Sequence, residues 1–508
     1  MRSRKLLAFI LCLITGPALA GYMTLLGAGL GAIQPVAQAT FTNSSYSTNL
    51  SNLTSVATFS RAGNATQFDS QGYLTYGPNQ LLLQNTNFSD SDWSKNNVTI
   101  TGGQADPIGG SAAARLQGTV AASWYMAQTA NSNSNVLIAL WVKSNTGSNQ
   151  SFRLMIKSGS VLSADLTATT SWQQFNLVGD NSTGFVGILY GSGGATVDLL
   201  VYKATLSAVT YETTPRTQDQ VITTSAAYYG PRFDYTYNGS SWVPAGLLVE
   251  GAATNLLLNS KADGTNLSTQ SVATTAQAYT LSFYGTGTVT LSGTSTAGPA
   301  VGAASPARTT LMFTPTAGSL TLTVTGTVQY AQLETGSTAS SFIPTGASAV
   351  TRAAETVQLT GTALSTLQGT SGAIIAQTNA LAAINQRGRV VSTNVAAPLS
   401  ILTASSPATV DTYNAAVQIL ASGSSAAFTG RIRLGVTWSP SGRSVTASGG
   451  AVGTDANSFN GGSVTSAWLG SNGGASAYAN GYYESIAFYN SRLPDATLQA
   501  KSVVGASY

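Results

Sequence analysis

The sequence predicts an all-β chain of tandem jelly-roll or β-sandwich modules behind a short N-terminal helix. Three observations carry that expectation. Segments rich in Val, Thr, Ile, Tyr and Phe alternate apolar and polar residues at period two, which buries one face of each strand. Clusters of Gly, Ser and Asn interrupt them roughly every 8–12 residues, the turn spacing of sandwiches and barrels. Charged residues make up only 8% of the 508, against about 25% in an ordinary globular chain. Hydroxyls and amides, rather than ions, must therefore wet the surface.

Residues 1–40 are apolar. "MRSRKLLAFILCLITGPALAG" has a basic start, an apolar run from Leu6 to Ile14 and small residues at Ala18 and Ala20, the layout of a secretory signal. A second apolar stretch, "MTLLGAGLGA", leads to Ala37-Gln38-Ala39, another small-residue site. The alternative is an uncleaved helix that anchors the chain in a larger assembly. Residues 41–79 read as an N-terminal connector, and 80–215 as a sandwich whose clearest strand is "VLIALWVKS" (136–144). Residues 216–253 read as a second connector. Its Tyr229, Phe233, Tyr235 and Trp242 are expected to pack at a module junction, since aromatic area joins well where ions are scarce. Residues 254–355 read as a second sandwich, with strands in "TVTLSG" (288–293) and "SLTLTVTGTVQYAQL" (319–333). Residues 356–508 read as a third, with "RIRLGVTWS" (431–439) as a strand. "LPDATLQAKS" (493–502) is the one helical segment expected after residue 40, started by Pro494 and Asp495. A weak internal repeat pairs "NQLLLQNTNFS" (79–89) with "TNLLLNSKADGTNLS" (254–268), and "ALWVKSNTG" (139–147) with "TLSFYGTGT" (280–288). It predicts two sandwiches of related design.

Composition also excludes chemistry. The chain has no histidine, which removes Ser-His-Asp, Cys-His and His-metal sites. Cys12 is the sole cysteine, so no intramolecular disulfide forms. The net charge of +4 leans on Arg2, Arg4 and Lys5, and no basic stripe marks a nucleic-acid partner. "GAGLGA" (27–32) lacks the strand–helix–strand unit that a nucleotide loop needs. No Asp-rich loop stands out; calcium stays open as the one cofactor that oxygen ligands of a sandwich would admit.

Several segments resemble bacteriophage fibre and spike proteins, in particular the phage head spike fibre domain. They are "ATFSRAGNATQFDSQGYL" (57–74), "PRFDY…AGLLVEGAATNLLLNS" (231–260) and "YAQLETGSTASSFIPTGASAVTRAAE" (330–355). The order of the motifs carries the resemblance. In the family the Phe-Ser-Arg and Pro-Arg-Phe segments are near neighbours, whereas here residues 80–215 lie between them. That stretch resembles a carbohydrate-binding sandwich and is expected to be an insertion, which costs little where a domain's termini lie close together. Residues 356–508 resemble a laminin-G or concanavalin-A-like sandwich through "RIRLGVTWSPSGRSVTASGG" (431–450) and "AWLGSNGGASAYANGYYESIAFYNSRLPDATLQA" (467–500).

The resemblance implies a noncatalytic virion fibre or spike, a homotrimer among other virion proteins, that adheres to a host surface glycan or receptor. A secreted bacterial adhesin or matrix protein is the alternative that the signal-like N-terminus favours. A tail-associated depolymerase is the other, and it needs two carboxylates at a set separation. Asp69, Asp234, Glu250 and Glu334 are the acids to consider among only 18, and turn capping accounts for them as well. Glycan binding asks for exposed rings beside amides. Trp93, Trp124 and Tyr125 beside Asn96 and Asn97 meet that description in the inserted sandwich, whereas Trp141 sits in an apolar strand and reads as core. Tyr482 and Tyr483 are adjacent on a strand, so one faces in and the other out. Trp438 and Trp468 read as core.

Overall fold

The computed structural model describes residues 33–508 apart from 131–134, 181–183, 381–387, 396–400, 405–408, 415–416, 422–429, 458, 460 and 477. The leader-like residues 1–32 lie outside the described residues. The rest is β-sheet with three short helices, arranged as three sandwich-like bodies.

The C-terminal body is the largest, and the chain visits it three times. Its first sheet runs in the order Phe233–Tyr237, Trp242–Val249, Gly481–Tyr489, Gly372–Ala380, Arg431–Ser439, Gly442–Ala447, Gly453–Asp455. Ala37–Thr40 also pairs with Gly481–Tyr489, through Ser485 to Phe488. Its second sheet begins Ala57–Ser60, Thr356–Leu359, Ala467–Leu469, Gly388–Thr393. Between the sheets lie Phe41, Leu247, Val249, Val357, Leu359, Trp438, Phe459, Ile486 and Phe488, all buried. The segments expected to be connectors, 41–79 and 216–253, thus supply strands to this body. Their apolar alternation was strand patterning for a sheet whose other members lie far along the chain.

Among the described residues three helices stand, where the sequence suggested one after residue 40. Asp495–Lys501 follows Pro494 as expected. Tyr46–Val56 was hidden by its Ser, Thr and Asn content, yet Ser45 caps it and Asn49, Leu53 and Val56 bury one face. Gly361–Gln368 buries Ala363, Thr366 and Leu367 against the same body.

The inserted sandwich packs a five-stranded sheet (Gln173–Asp180, Asn135–Ser144, Val197–Ala208, Ala113–Gly118, Val98–Gln104) on a six-stranded one. The second sandwich is one sheet bent on itself. Tyr279–Gly293 pairs with Ala300–Phe313 on one side, and on the other first with Gln329–Thr335 and then with Gly318–Thr325.

The internal repeat is real at the level of single hydrogen bonds. Gln80 Oε1 accepts from the amides of Leu82 and Leu206 while its Nε2 donates to Ala204 O. Asn255 Oδ1 accepts from Leu257 and Leu333 while its Nδ2 donates to Ala331 O. Gln128 closes on both backbone groups of Leu83, and Gln270 does the same with Leu258. Gln84 and Asn259 share a positive φ, as do Lys203 and Tyr330. Pairing register refines the second half of the repeat by two residues. Ile138 faces Leu206 as Leu281 faces Leu333, and after a bulge Trp141 faces Tyr202 as Tyr284 faces Gln329. Trp141 and Tyr284 are therefore equivalent, and each points away from its own core because Val142 and Phe283 point in.

Candidate functional site

Strand alternation decides what the corner of the large sheet presents. Phe233, Leu247, Val249 and Tyr483 point into the C-terminal core. Their neighbours Arg232, Asp234, Glu250 and Tyr482 point to the other face. There they meet the second sandwich and the hairpin of Thr66–Phe68 with Leu74–Tyr76. Gly246 permits the bulge at Asp234 and Tyr235, since its φ is +114° and a Cβ would stand 2.3 Å from Tyr483 O.

Two features share this face. The first is a buried ion network. Arg232 holds Glu355 through Nε at 2.7 Å and Nη2 at 2.8 Å, and reaches Glu250 at 2.7 Å. Arg61 reaches Glu355 at 2.7 Å, and Arg352 lies 3.5 Å from Glu250. Ser341 donates twice to Glu250. Burial opposes the charge on Glu250, but Arg352, Arg232 and Ser341 outweigh it and hold the carboxyl at about 2. Burial lowers Arg61 to about 10 against the pull of Glu355, which leaves it charged at neutral pH. Each ion comes from one of the quoted motifs: Phe-Ser-Arg, Pro-Arg-Phe-Asp, Leu-Val-Glu and Thr-Arg-Ala-Ala-Glu.

The second feature is a cleft of about 470 Å³ whose walls include Gln67, Phe68, Asp234, Tyr284, Arg308, Ser341 and Tyr482. A neighbouring hollow of about 450 Å³ shares Phe68, Tyr284 and Tyr482 and adds Tyr237 and Trp242. Rings run through both. Tyr237 lies 5.9 Å from Trp242, Trp242 4.8 Å from Phe68, and Phe68 5.8 Å from Tyr284. Trp242 rests on Gly72, where any Cβ would fall 2.1 Å from the indole nitrogen. Asp234 Oδ1 accepts from the amides of Phe68 at 2.6 Å and Tyr235 at 2.8 Å, and Oδ2 from the Tyr482 hydroxyl at 3.0 Å. Burial raises the Asp234 carboxyl to about 6 in spite of these bonds and of Arg232. Arg308 donates to Ser340 O at 2.6 Å and Ser282 Oγ at 2.7 Å.

This arrangement suits holding a ligand. Rings offer stacking faces, and amide, hydroxyl and guanidinium groups offer hydrogen bonds. Asp234 is the one carboxylate among the described residues that line the cleft. The other acids considered from sequence are engaged elsewhere. Asp69 caps the turn at Gln71 and Tyr73 and accepts from Tyr211, Glu250 belongs to the ion network, and Glu334 is bonded to Gln332 and Ser340. Among the described residues no group of three His, Cys, Asp or Glu gathers to hold a metal.

The residues singled out in the inserted sandwich fall elsewhere. Trp93 and Trp124 are core, with exposures of 2% and 0%. Each indole N–H donates to a backbone carbonyl, Gln84 O and Ala195 O, at 3.0 Å. Asn96 and Asn97 both donate to Ser123 O and tie down a turn. Tyr125 is half-buried beside Phe185 on the outer face of the six-stranded sheet. The outward-facing aromatics of this sandwich include instead Trp141, half-buried rather than core, with Tyr202 opposite and Lys143 over Trp172. Tyr483 faces in and donates to Val390 O, while Tyr482 faces the cleft. Trp438 is core; Trp468 is half-buried. Among the aromatics expected at the junction, Trp242 stands there, whereas Phe233 packs inside the C-terminal body on Phe41 and Tyr46. Phe68 and Tyr284 lay within quoted segments without being singled out, and Arg308 had no motif to announce it. The signal available was the scarcity of charge, which makes an arginine between alanine and threonine conspicuous.

No family model matches the chain, and no curated protein does. Solved structures similar to parts of it include the CBM40 of Ruminococcus gnavus IT-sialidase bound to α2,3-sialyllactose, at 14% identity and a TM-score of 0.24 over 28% of this chain and 87% of that one. The CBM22-1–CBM22-2 tandem of Paenibacillus barcinonensis Xyn10C follows, at 13% and 0.22 over 56% and 98%. Mouse laminin α1 domains LG4-5 give 9% and 0.21 over 88% and 99%. Superpositions this loose carry no argument, and the site rests on its own geometry.

Proposed function

We propose that this chain is a noncatalytic virion fibre or spike protein that attaches to the host surface by holding saccharides in the aromatic cleft. The cleft carries the reading: stacked rings, amides and a guanidinium converge between two sandwiches around a single, already triply bonded carboxylate. Glycoside hydrolysis uses two carboxyl groups, and the cleft supplies one. The resemblance to phage spike fibres supports the virion setting, because its scattered motifs converge on one buried ion network and so act as one structural unit. Virion neighbours and a homotrimeric state belong to the same proposal. Three copies would raise a weak single-site affinity by roughly 10²–10⁴-fold.

A glycan array probed with the full chain tests the reading. Binding to host surface polysaccharide is expected, together with its weakening in Tyr284→Ala and no release of reducing ends. A folded protein that binds no glycan would sink it. The secreted-adhesin reading makes a separate claim at the N-terminus. Removal of Ala37–Ala39 would strip residues paired to Ile486, Ala487 and Phe488, so a secreted form is expected to start at Gly21 rather than Thr40. Mass spectrometry of the mature N-terminus reads this directly, and an intact Met1 supports the virion.

A further inference from the structure

Among the described arginines, Arg308 and Arg433 send their hydrogen bonds to neutral groups. Arg433 is stacked on Tyr508 and bonded to Gln377 and Ala506 O, and it does not line the cleft. Arg61, Arg232 and Arg352 are ion-paired in the network, and Arg115, Arg216, Arg431 and Arg443 each hold a carboxylate elsewhere. Arg308 lines the cleft, and both of its bonded partners are neutral: Ser340 O and Ser282 Oγ. Its Nε is shielded from water and has no hydrogen-bond partner. The two serine contacts fix the fork, and Tyr284 lies beneath it at 5.8 Å. A guanidinium carries five N–H donors, and two are used here. Glu334 sits close enough to feel the charge, but its bonds go to Gln332 and Ser340, and burial raises its carboxyl toward the neutral form.

We infer that Arg308 reads a carboxylate on the saccharide, so that the cleft selects acidic sugars, uronic or nonulosonic, over neutral ones. The inference rests on the glycan reading above and adds the substrate class. A carboxylate matches the planar fork bidentately, and charge-assisted bonds of that kind are about twice as strong as neutral ones. The ring of the same sugar would then lie along Tyr284 and Phe68. Asp234 also lines the cleft, where its charge disfavours an acid. Its bonds from Phe68, Tyr235 and Tyr482 spread that charge, and Arg232 stands behind it.

The test is a panel of uronate-containing and sialate-containing oligosaccharides, each beside its carboxyl-reduced form, titrated against the full chain. The acidic member of each bound pair is expected to bind about tenfold tighter or better, the ratio that roughly 1.4 kcal/mol supplies. Arg308→Gln is expected to abolish that preference, so that the acidic and carboxyl-reduced members of each pair bind alike. Equal binding of acidic and reduced members overturns the inference and leaves the glycan reading intact. A preference that survives Arg308→Gln but vanishes in Lys143→Gln overturns the site. Binding of neither member of any pair overturns both readings. The paired ligands decide the matter on the unaltered protein, even if Arg308→Gln fails to fold.

Discussion

The inserted and second sandwiches begin with the same clamp and end with different surfaces. Gln80 and Asn255 hold corresponding amides, and Trp141 and Tyr284 occupy the same outward position after the same bulge. Around Trp141 the neighbours are Tyr202, opposite it on the next strand, and Lys143, which reaches over Trp172. Around Tyr284 the face is roofed by Phe68 and Tyr482, and a cleft results. A repeated strand framework thus supplies the ring, and the neighbouring segments decide what stands against it. Around Tyr284 those segments are held in place by the five buried ions.

That contrast breaks most readily at the ions. Arg232→Ala leaves Glu250 and Glu355 buried without their main partner and is expected to cost about 3–5 kcal/mol. Denaturant titration should show the loss in the C-terminal and second bodies, with the inserted sandwich melting separately and little changed. A chain that remains fully cooperative at unchanged midpoint would contradict this.

The pH response comes next. The Asp234 carboxyl stands at about 6 in the fold against 3.8 as its ordinary value. Between those values the unfolded chain gives up its proton first, so stability falls as pH rises from about 4 to about 6 and is level above. The span corresponds to about 3 kcal/mol. Asp234→Asn keeps an acceptor for Phe68 and Tyr235 and is expected to flatten that fall. Glu250 acts in the opposite direction, because a carboxyl held at about 2 adds stability that is lost as pH drops below about 4.5. An unaltered pH profile in Asp234→Asn would refute the assignment.

The clamps sharpen the equivalence. Gln80→Ala and Asn255→Ala each strand two buried amides, at roughly 2–3 kcal/mol. Both should fall in that range and agree within about 1 kcal/mol; a wide gap would mean that the repeat is one of shape only. The smallest effects concern the rings. Tyr284→Ala is expected to weaken saccharide binding by about 0.5–1.5 kcal/mol, the worth of an aromatic contact. Trp141→Ala should leave that cleft's affinity unchanged, as calorimetry can decide.

Much of the fold was legible from local pattern. "RIRLGVTWS" is the strand Arg431–Ser439 residue for residue, and the Tyr482–Tyr483 alternation holds. Trp93 and Trp124 show where that pattern misleads. A tryptophan among polar residues looks exposed, yet both rings are core, and backbone carbonyls brought in by the fold accept from their indole N–H groups. The helix Tyr46–Val56 escaped notice because its stability comes from packing and a Ser45 cap rather than from propensity.

Period-two alternation, turn spacing and the absence of histidine belong to the sequence alone, because each depends on residues within a few positions of one another. They determined an all-strand chain, two related sandwiches and the lack of histidine chemistry. The cleft required residues from 66–68, 234, 284, 308 and 482 to meet. Only the closure of distant strands and the burial of Arg61, Arg232, Glu250, Arg352 and Glu355 together could bring them there, since long-range pairing is fixed by burial summed over the whole molecule.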